Sequence, residues 1–393
     1  MPPLIRIATR TYPPDVGAAP FRLRALARAL VAAGGEVEVV TTTPAPGSAP
    51  APRDAGTSVR RAAVLRDADG AVRGYLPYLS FDVPLTARLL LGRRPDVVVH
   101  EPPPTTGLAT RAASALRRTP YVSYLPDVWS QGAVAAGAPR PVLGAVRLAE
   151  QAALRGAAAV LAVTAGMAAE VVRAGVDARR VHVVGNGVDV EVFVPAPPDG
   201  PAGGPAHRGL RAVYSGTMSE WQGAEVFVRA FAELAREDPG ARLTMVGGGV
   251  DLPRLRALAA RLAPGRVELP GTVQPGEAAR LLGEADVALA SLVPGTGYDL
   301  MAPTKIAAAA ACGTPVLFAG VGSGRDTVRA HGLGAAVEHD PAAVAAALRT
   351  WRRPDAGERA RLRAWALEHG SLAAAAQRAA AVVLAVAAGR VPG

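Results

Sequence analysis

Residues 194–209, VPAPPDGPAGGPAHRG, carry no hydrophobic period. Pro, Gly and Ala crowd the stretch, and neither a helix nor a strand can be laid through it, so it reads as a linker or exposed loop. What lies on either side decides the fold. Before it, the short β-branched runs LIRIA (4–8), VEVVT (37–41), DVVVH (96–100), YVSYL (121–125), AVLAV (159–163) and VHVVG (181–185) alternate with longer Ala/Leu/Arg segments. One of these, FRLRALARALVAAG (21–34), is apolar at helical spacing; Arg22, Arg24 and Arg28 fall largely off the stripe and Gly34 is a natural stop. After residue 209 the rhythm restarts from zero with RAVYSG (211–216), RLTMVG (242–247), RVELPG (266–271), DVALAS (286–291), PVLFAG (315–320) and GAAVEH (334–339), separated by amphipathic segments such as AEVFVRAFAELARE (224–237). Strand–helix alternation of this kind predicts a parallel sheet covered by helices on both faces. The expectation is therefore an α/β chain of two doubly wound, Rossmann-like domains: 1–193, then the 194–209 linker, then 210–370, with an Ala-rich helical segment at the end.

The bulk composition is globular: 393 residues, half of them hydrophobic, 4% aromatic. The formal charge is +10, which draws a protein towards anions such as phosphorylated metabolites or an acidic membrane surface. No aromatic residues interleave with the arginines and no long block of one charge occurs, so nucleic acid is not expected as a partner. Cys312 is the single cysteine, so no disulfide can form within the chain, which fits a reducing cytoplasm. The N-terminal MPPLIRIATR reads as a strand and not as a signal peptide, and the longest apolar tracts fall short of the roughly 20 residues of a membrane span.

In open α/β sheets ligands bind beyond the carboxyl ends of the strands, and the two domains are expected to face each other across a cleft. The strand ends carry glycine turns. Gly17 follows the first strand and precedes a helix, where free amides receive anions. Ser215, Gly216 and Thr217, with Gly223, shape the turn after strand 211–216, and Gly247 and Gly248 repeat the pattern. Several such turns in the second domain point to a phosphate-bearing or nucleotide ligand. No G-x-G-x-x-G is present, which argues against a nicotinamide dinucleotide. The stretch DLMAPTKIAAAAACGTPVLFAG (299–320) holds Lys305, the only lysine among 43 basic residues.

In order and spacing, VGNGVDVEVFVP, YSGTMSEWQGAEVFVRAF, LTMVGGG, LPGTVQPGEAARLLGEADVAL and PTKIAAAAACGTPV resemble the family-4 glycosyltransferases of the GT-B fold. The resemblance runs from YPPDVGAAPFRLRALARAL to about residue 350. PDVWS (126–130), together with PTK, is similar to a bacterial subgroup that builds cell-surface polysaccharides from aminosugar nucleotides. The resemblance implies a retaining, generally metal-independent transfer from a UDP- or GDP-linked sugar to a hydroxyl acceptor, with no other cofactor. The second domain would bind the donor and the first the acceptor, and a final helix, 371–393, would cross back to the first domain.

Carried onto this sequence, the resemblance places the donor against Gly17, Ser215, Gly216, Thr217, Gln222, Gly247, Gly248, Thr272, Val273, Asp299, Pro303, Thr304, Lys305 and Arg325. Many members hold the phosphates with an Arg and a Lys from the first glycine turn of the second domain; here those positions are Thr217 and Gln222. In the PSK/PTK subgroup the cation comes from the lysine, here Lys305, and Arg325 is a second candidate. The glutamates that hold the ribose elsewhere in the family are Leu300 and Ala308 here. On the acceptor side Asp127 either orients the hydroxyl or caps a turn, Trp129 either stacks on a sugar or packs, and His100 and Glu101 end a strand of the same domain. Arginines of helix 21–33 and the stretch VPLTARLLLGRRP (83–95) offer a surface for anionic lipid, which would suit a lipid-linked acceptor at the inner face of the cell membrane. Two other readings stand beside the transferase: a catalytically weak GT-B protein that binds nucleotide or serves an active partner, and a sugar-nucleotide epimerase of the same architecture.

Overall fold

The computed structural model describes residues 2–15, 17–45, 48, 50, 53–66, 72, 74–135, 137–197, 209–301 and 304–390. Within it the chain divides into two compact units: residues 1–186 with 372–393, and residues 187–371. Residues 187–193 therefore pack with the second unit, and 372–390 with the first. Of the 194–209 stretch, residues 198–208 lie outside the described residues, as does Pro303.

The first unit comprises β1 (Leu4–Ala8), α1 (Ala18–Ala32), β2 (Glu36–Thr42), β3 (Thr57–Ala62), α2 (Tyr75–Leu91), β4 (Val97–His100), α3 (Pro104–Arg117), β5 (Tyr121–Leu125), α4 (Trp129–Ala135), α5 (Arg140–Gly156), β6 (Ala159–Ala162), α6 (Ala165–Arg173) and β7 (Val181–Val183). Its seven strands run parallel in the order β3-β2-β1-β4-β5-β6-β7. The second unit comprises β8 (Arg211–Ser215), α7 (Glu225–Glu237), β9 (Arg242–Val246), α8 (Leu252–Leu262), β10 (Val267–Gly271), α9 (Pro275–Glu284), β11 (Val287–Ser291), α10 (Thr304–Ala311), β12 (Val316–Ala319), α11 (Ser323–Ala330), β13 (Gly334–Val337), α12 (Pro341–Arg349) and α13 (Ala356–His369). Its six strands, also parallel, follow the order β10-β9-β8-β11-β12-β13. The last helix, α14 (Leu372–Ala387), packs on α1 and gives Ala379, Ala380, Val383 and Val386 to the core of the first unit.

Each sheet reverses its strand order once, between β1 and β4 in the first and between β8 and β11 in the second. At such a switch point successive connections leave for opposite faces, and a crevice opens beyond the strand ends. The central strands are buried on both faces, as their β-branched runs require. Cys312 is fully buried in the second unit, where burial pushes its thiol up to about 12. No helix among the described residues is long and apolar enough to cross a membrane.

Candidate active site

The switch point of the second sheet is built from the turn after β8 and the helix after β11. Gly216 leaves β8 with φ 143°, and a Cβ there would stand 2.5 Å from Lys305 Cε, so only glycine lets the lysine lie across the turn. The neighbouring turns are laced to it: Met218 N donates to Gly248 O at 2.8 Å and Gly247 N to Gly271 O at 2.8 Å. Gly247 has φ 135°, and its Cβ would meet Gly216 O at 1.9 Å. Backbone thus approaches backbone beyond β8 and β9, and Thr272, exposed, and Val273, half-buried, continue the rim after β10.

Lys305 is the second residue of α10 and reaches into this turn. Its Nζ donates to Gln222 Oε1 at 2.7 Å and sits 5.1 Å from the centroid of the Tyr214 ring. Gln222 Nε2 donates to Thr217 Oγ1 at 3.0 Å. Among the described residues no carboxylate offsets the ammonium, and desolvation pushes its pKa down to about 7. A cation in the first turn of a helix is also opposed by the helix dipole. Burial and dipole therefore both disfavour the charge, and an anion brought to it would relieve both.

The rest of the anticipated donor set divides. Ser215, Gly216, Thr217, Gly247 and Gly248 share these strand ends, and Thr304 opens α10, half-buried. Asp299 precedes α10; its carbonyl accepts from Ser323 N at 2.7 Å, while its Oδ1 is buried without a hydrogen-bond partner. Ala308 lies in the core beneath α10. Arg325 requires a correction. Its Nε donates to Gly320 O at 2.7 Å and its NH2 to Val337 O and to Glu338 Oε1. That guanidinium closes the ends of β12 and β13 and is not a free phosphate cation. Gly17 belongs to the first unit, where it precedes α1 without a side-chain cap.

At the switch point of the first sheet the acceptor set also changes. His100 is buried beside Gly107 of α3 and the Tyr121 ring, and burial pushes its pKa down to about 4. It stands in the core of the first unit, with neither ring nitrogen hydrogen-bonded. Glu101 is likewise withdrawn, its Oε1 taking Arg22 Nε at 3.1 Å in a buried ion pair. This pair acts on Asp127, which is half-buried. Desolvation raises the Asp127 carboxyl above the usual range; Arg22 opposes the rise and Glu101 adds to it. Trp129 packs edge-on against Tyr78 with ring centroids 5.9 Å apart, and Arg10 lies 4.1 Å over the Tyr78 ring. Glu150 of α5 caps α4 by accepting from Trp129 N at 2.7 Å. The arginines of α1 are paired within the first unit: Arg22 with Glu101, and Arg24 and Arg28 both with Asp54. Arg10 and Tyr78 carry no motif that marks them in the sequence.

Two family models match the chain, the glycosyl transferase 4-like domain over residues 17–187 and glycosyl transferases group 1 over residues 209–352. Together they span most of it. The chain belongs to the family-4-like glycosyltransferases of the GT-B fold. Among curated relatives of this GT-B chain is a D-inositol 3-phosphate glycosyltransferase of Xylanimonas cellulosilytica, 34% identical over 223 residues, which are 53% of this chain and 51% of the relative. The chain thus spans about half the length of the curated relatives it matches. Solved structures share the fold across nearly the whole length. A sucrose-phosphate synthase from Thermosynechococcus elongatus superposes with a TM-score of 0.74 at 20% identity, covering 95% of this chain and 96% of that one. Anabaena HepE, crystallised with UDP and glucose, has a TM-score of 0.71 at 18% identity, covering 96% and 98%.

Proposed function

We propose that the protein is a retaining, metal-independent glycosyltransferase that moves a sugar from a nucleoside diphosphate sugar to a hydroxyl acceptor. The observation that carries this is the Lys305 ammonium: half-buried, held among the described residues by neutral partners only, and set over a glycine turn at the switch point of the second sheet. As the glycosidic bond stretches, negative charge grows on the distal phosphate oxygen, and a preorganised cation there lowers the barrier. The UDP complex of the Anabaena relative supports a nucleotide donor for this fold. In the first unit Asp127 is the group to orient the acceptor hydroxyl or take its proton, because its raised pKa makes it a better base than an exposed carboxylate. The acceptor is a glycan, a small molecule or a lipid-linked sugar. The lipid-linked reading, with peripheral attachment to the inner face of the membrane, is supported by a stripe on α2 where Leu76, Leu79 and Val83 are 70%, 49% and 67% exposed.

The test is turnover of the purified protein with a panel of UDP- and GDP-sugars and candidate acceptors. Lys305→Met should lower kcat/KM by roughly 10²–10³, the usual effect of losing one donor to a developing anion. The anomeric configuration of the product, read by NMR, checks retention, and unchanged rates with a chelator check metal independence. Product formed without acceptor would favour the epimerase. No turnover across the panel, with nucleotide still bound, would favour the non-catalytic reading.

A further inference from the structure

Gln222 ends a short turn after β8 and is only 9% exposed. Every polar atom of its side chain is engaged within the protein. Its Oε1 accepts from Lys305 Nζ and lies 2.6 Å from the Tyr214 hydroxyl, while its Nε2 donates to Thr217 Oγ1. An ammonium can only donate, so the amide oxygen must be the atom that faces it. The backbone is held as firmly, with Gln222 N donating to Ser219 O at 2.9 Å and its carbonyl accepting from Ser291 Oγ at the end of β11. A side chain anchored in this way has no atom left for a ligand, although its place in the glycine turn makes it look like a donor contact.

What it offers Lys305 is an acceptor without a charge. A carboxylate at the same place would neutralise the ammonium and repel a diphosphate. An alkyl group would leave the ammonium with only the Tyr214 ring. We propose that Gln222 is a positioning residue that holds the Lys305 ammonium over the Gly216 turn and leaves its full charge for the phosphates of the donor. This rests on the glycosyltransferase reading. The groups facing Lys305 make the idea testable. From β8 there is Tyr214, whose buried hydroxyl ionises far above neutrality; from the turn there is Gln222; from α10 itself there is no acid. Asp251, before α8, acts on Tyr214 and is hydrogen-bonded to Arg254.

Because the chain has one lysine, full-length untagged protein labelled with 13Cε-lysine gives one side-chain signal, and its NMR titration reads Lys305 directly. The wild type should titrate with a midpoint near 7. Gln222→Glu, which is isosteric, should raise the midpoint by at least one pH unit and raise the KM for the donor. Gln222→Met should lower the midpoint and kcat together. Gln222→Lys in a Lys305→Gln background should recover activity at least tenfold over Lys305→Gln alone, because the new ammonium starts from the acceptor's position. Unchanged midpoints in both single variants, or no recovery in the double variant, would overturn the positioning role. Adding UDP or GDP separates the two ideas. A wild-type signal that neither nucleotide moves would overturn the phosphate role of Lys305 itself, whereas a shift with nucleotide but not with Gln222 substitution would overturn Gln222 alone.

Discussion

An ammonium partly withdrawn from water beside an amide and a phenol ring weakens the fold that holds it, and the size of that effect depends on pH. The folded pKa of Lys305 is lowered from 10.5 to about 7. Below pH 7 both folded and unfolded chains carry the proton, so the cost of burying the charge is present in full. Between about pH 7 and 10.5 the unfolded chain binds a proton that the folded chain has shed, so stability rises with pH across that window. Lys305→Met removes the charge and keeps most of the volume. It should therefore be more stable than the wild type at pH 6, and the difference should shrink by pH 9.5. Denaturant midpoints of both proteins at the two pH values measure this; equal differences at both would mean that the ammonium is not desolvated. The sequence shows the lysine as an oddity, yet it cannot show the partner, because Gln222 stands 83 positions away.

At the scale of elements, legibility follows burial. All six strands of the second sheet are visible in the sequence; the inner ones, β11 and β12 above all, are covered on both faces and need apolar residues throughout. The strand missed is β3, TSVRRA, which forms the edge of the first sheet and is mostly exposed; Arg60 and Arg61 break its apolar pattern, and Arg60 is paired with Glu38 of β2. Helix α2 is hidden for another reason. It carries Pro84 in its interior, which reads as a helix stop. That helix also displays the exposed Leu76, Leu79 and Val83 at i, i+3 and i+7, one face of a helix left uncovered among the described residues. If this face meets lipid, the full-length protein should float with anionic vesicles at low salt, aided by its +10 charge. Leu76→Ser with Val83→Ser should cut the bound fraction by about tenfold, since each apolar side chain lost from the interface removes on the order of 1 kcal/mol. No flotation of the wild type at low salt would end the membrane reading without touching the transferase one.

For the molecule as a whole, the division of the chain is not a single cut. The polypeptide leaves the first unit after Asn186 and returns to it at Leu372. The two passages lie side by side: Val188 N donates to Gly370 O at 2.9 Å, and Val188 bridges Ser371. The rhythm of strands places the start of the second domain near residue 210, because residues 187–209 have no period to assign; contacts instead attach 187–193 to the second unit, where Arg363 donates to the carbonyls of Val190 and Phe193. The return has an energetic consequence. α14 fills the first unit's core with Ala379, Ala380, Val383 and Val386. Burial of that apolar surface contributes roughly 5 kcal/mol, a large share of the 5–15 kcal/mol by which a domain is typically stable. A chain ending at Ser371 keeps every element of the second unit and lacks only this helix. Hydrogen exchange followed by mass spectrometry should then show protection lost throughout residues 2–186, central strands β1 and β4 included, and retained in 209–371. Protection of β1 and β4 equal to that of the full chain would mean that α14 only covers the first unit and does not complete it.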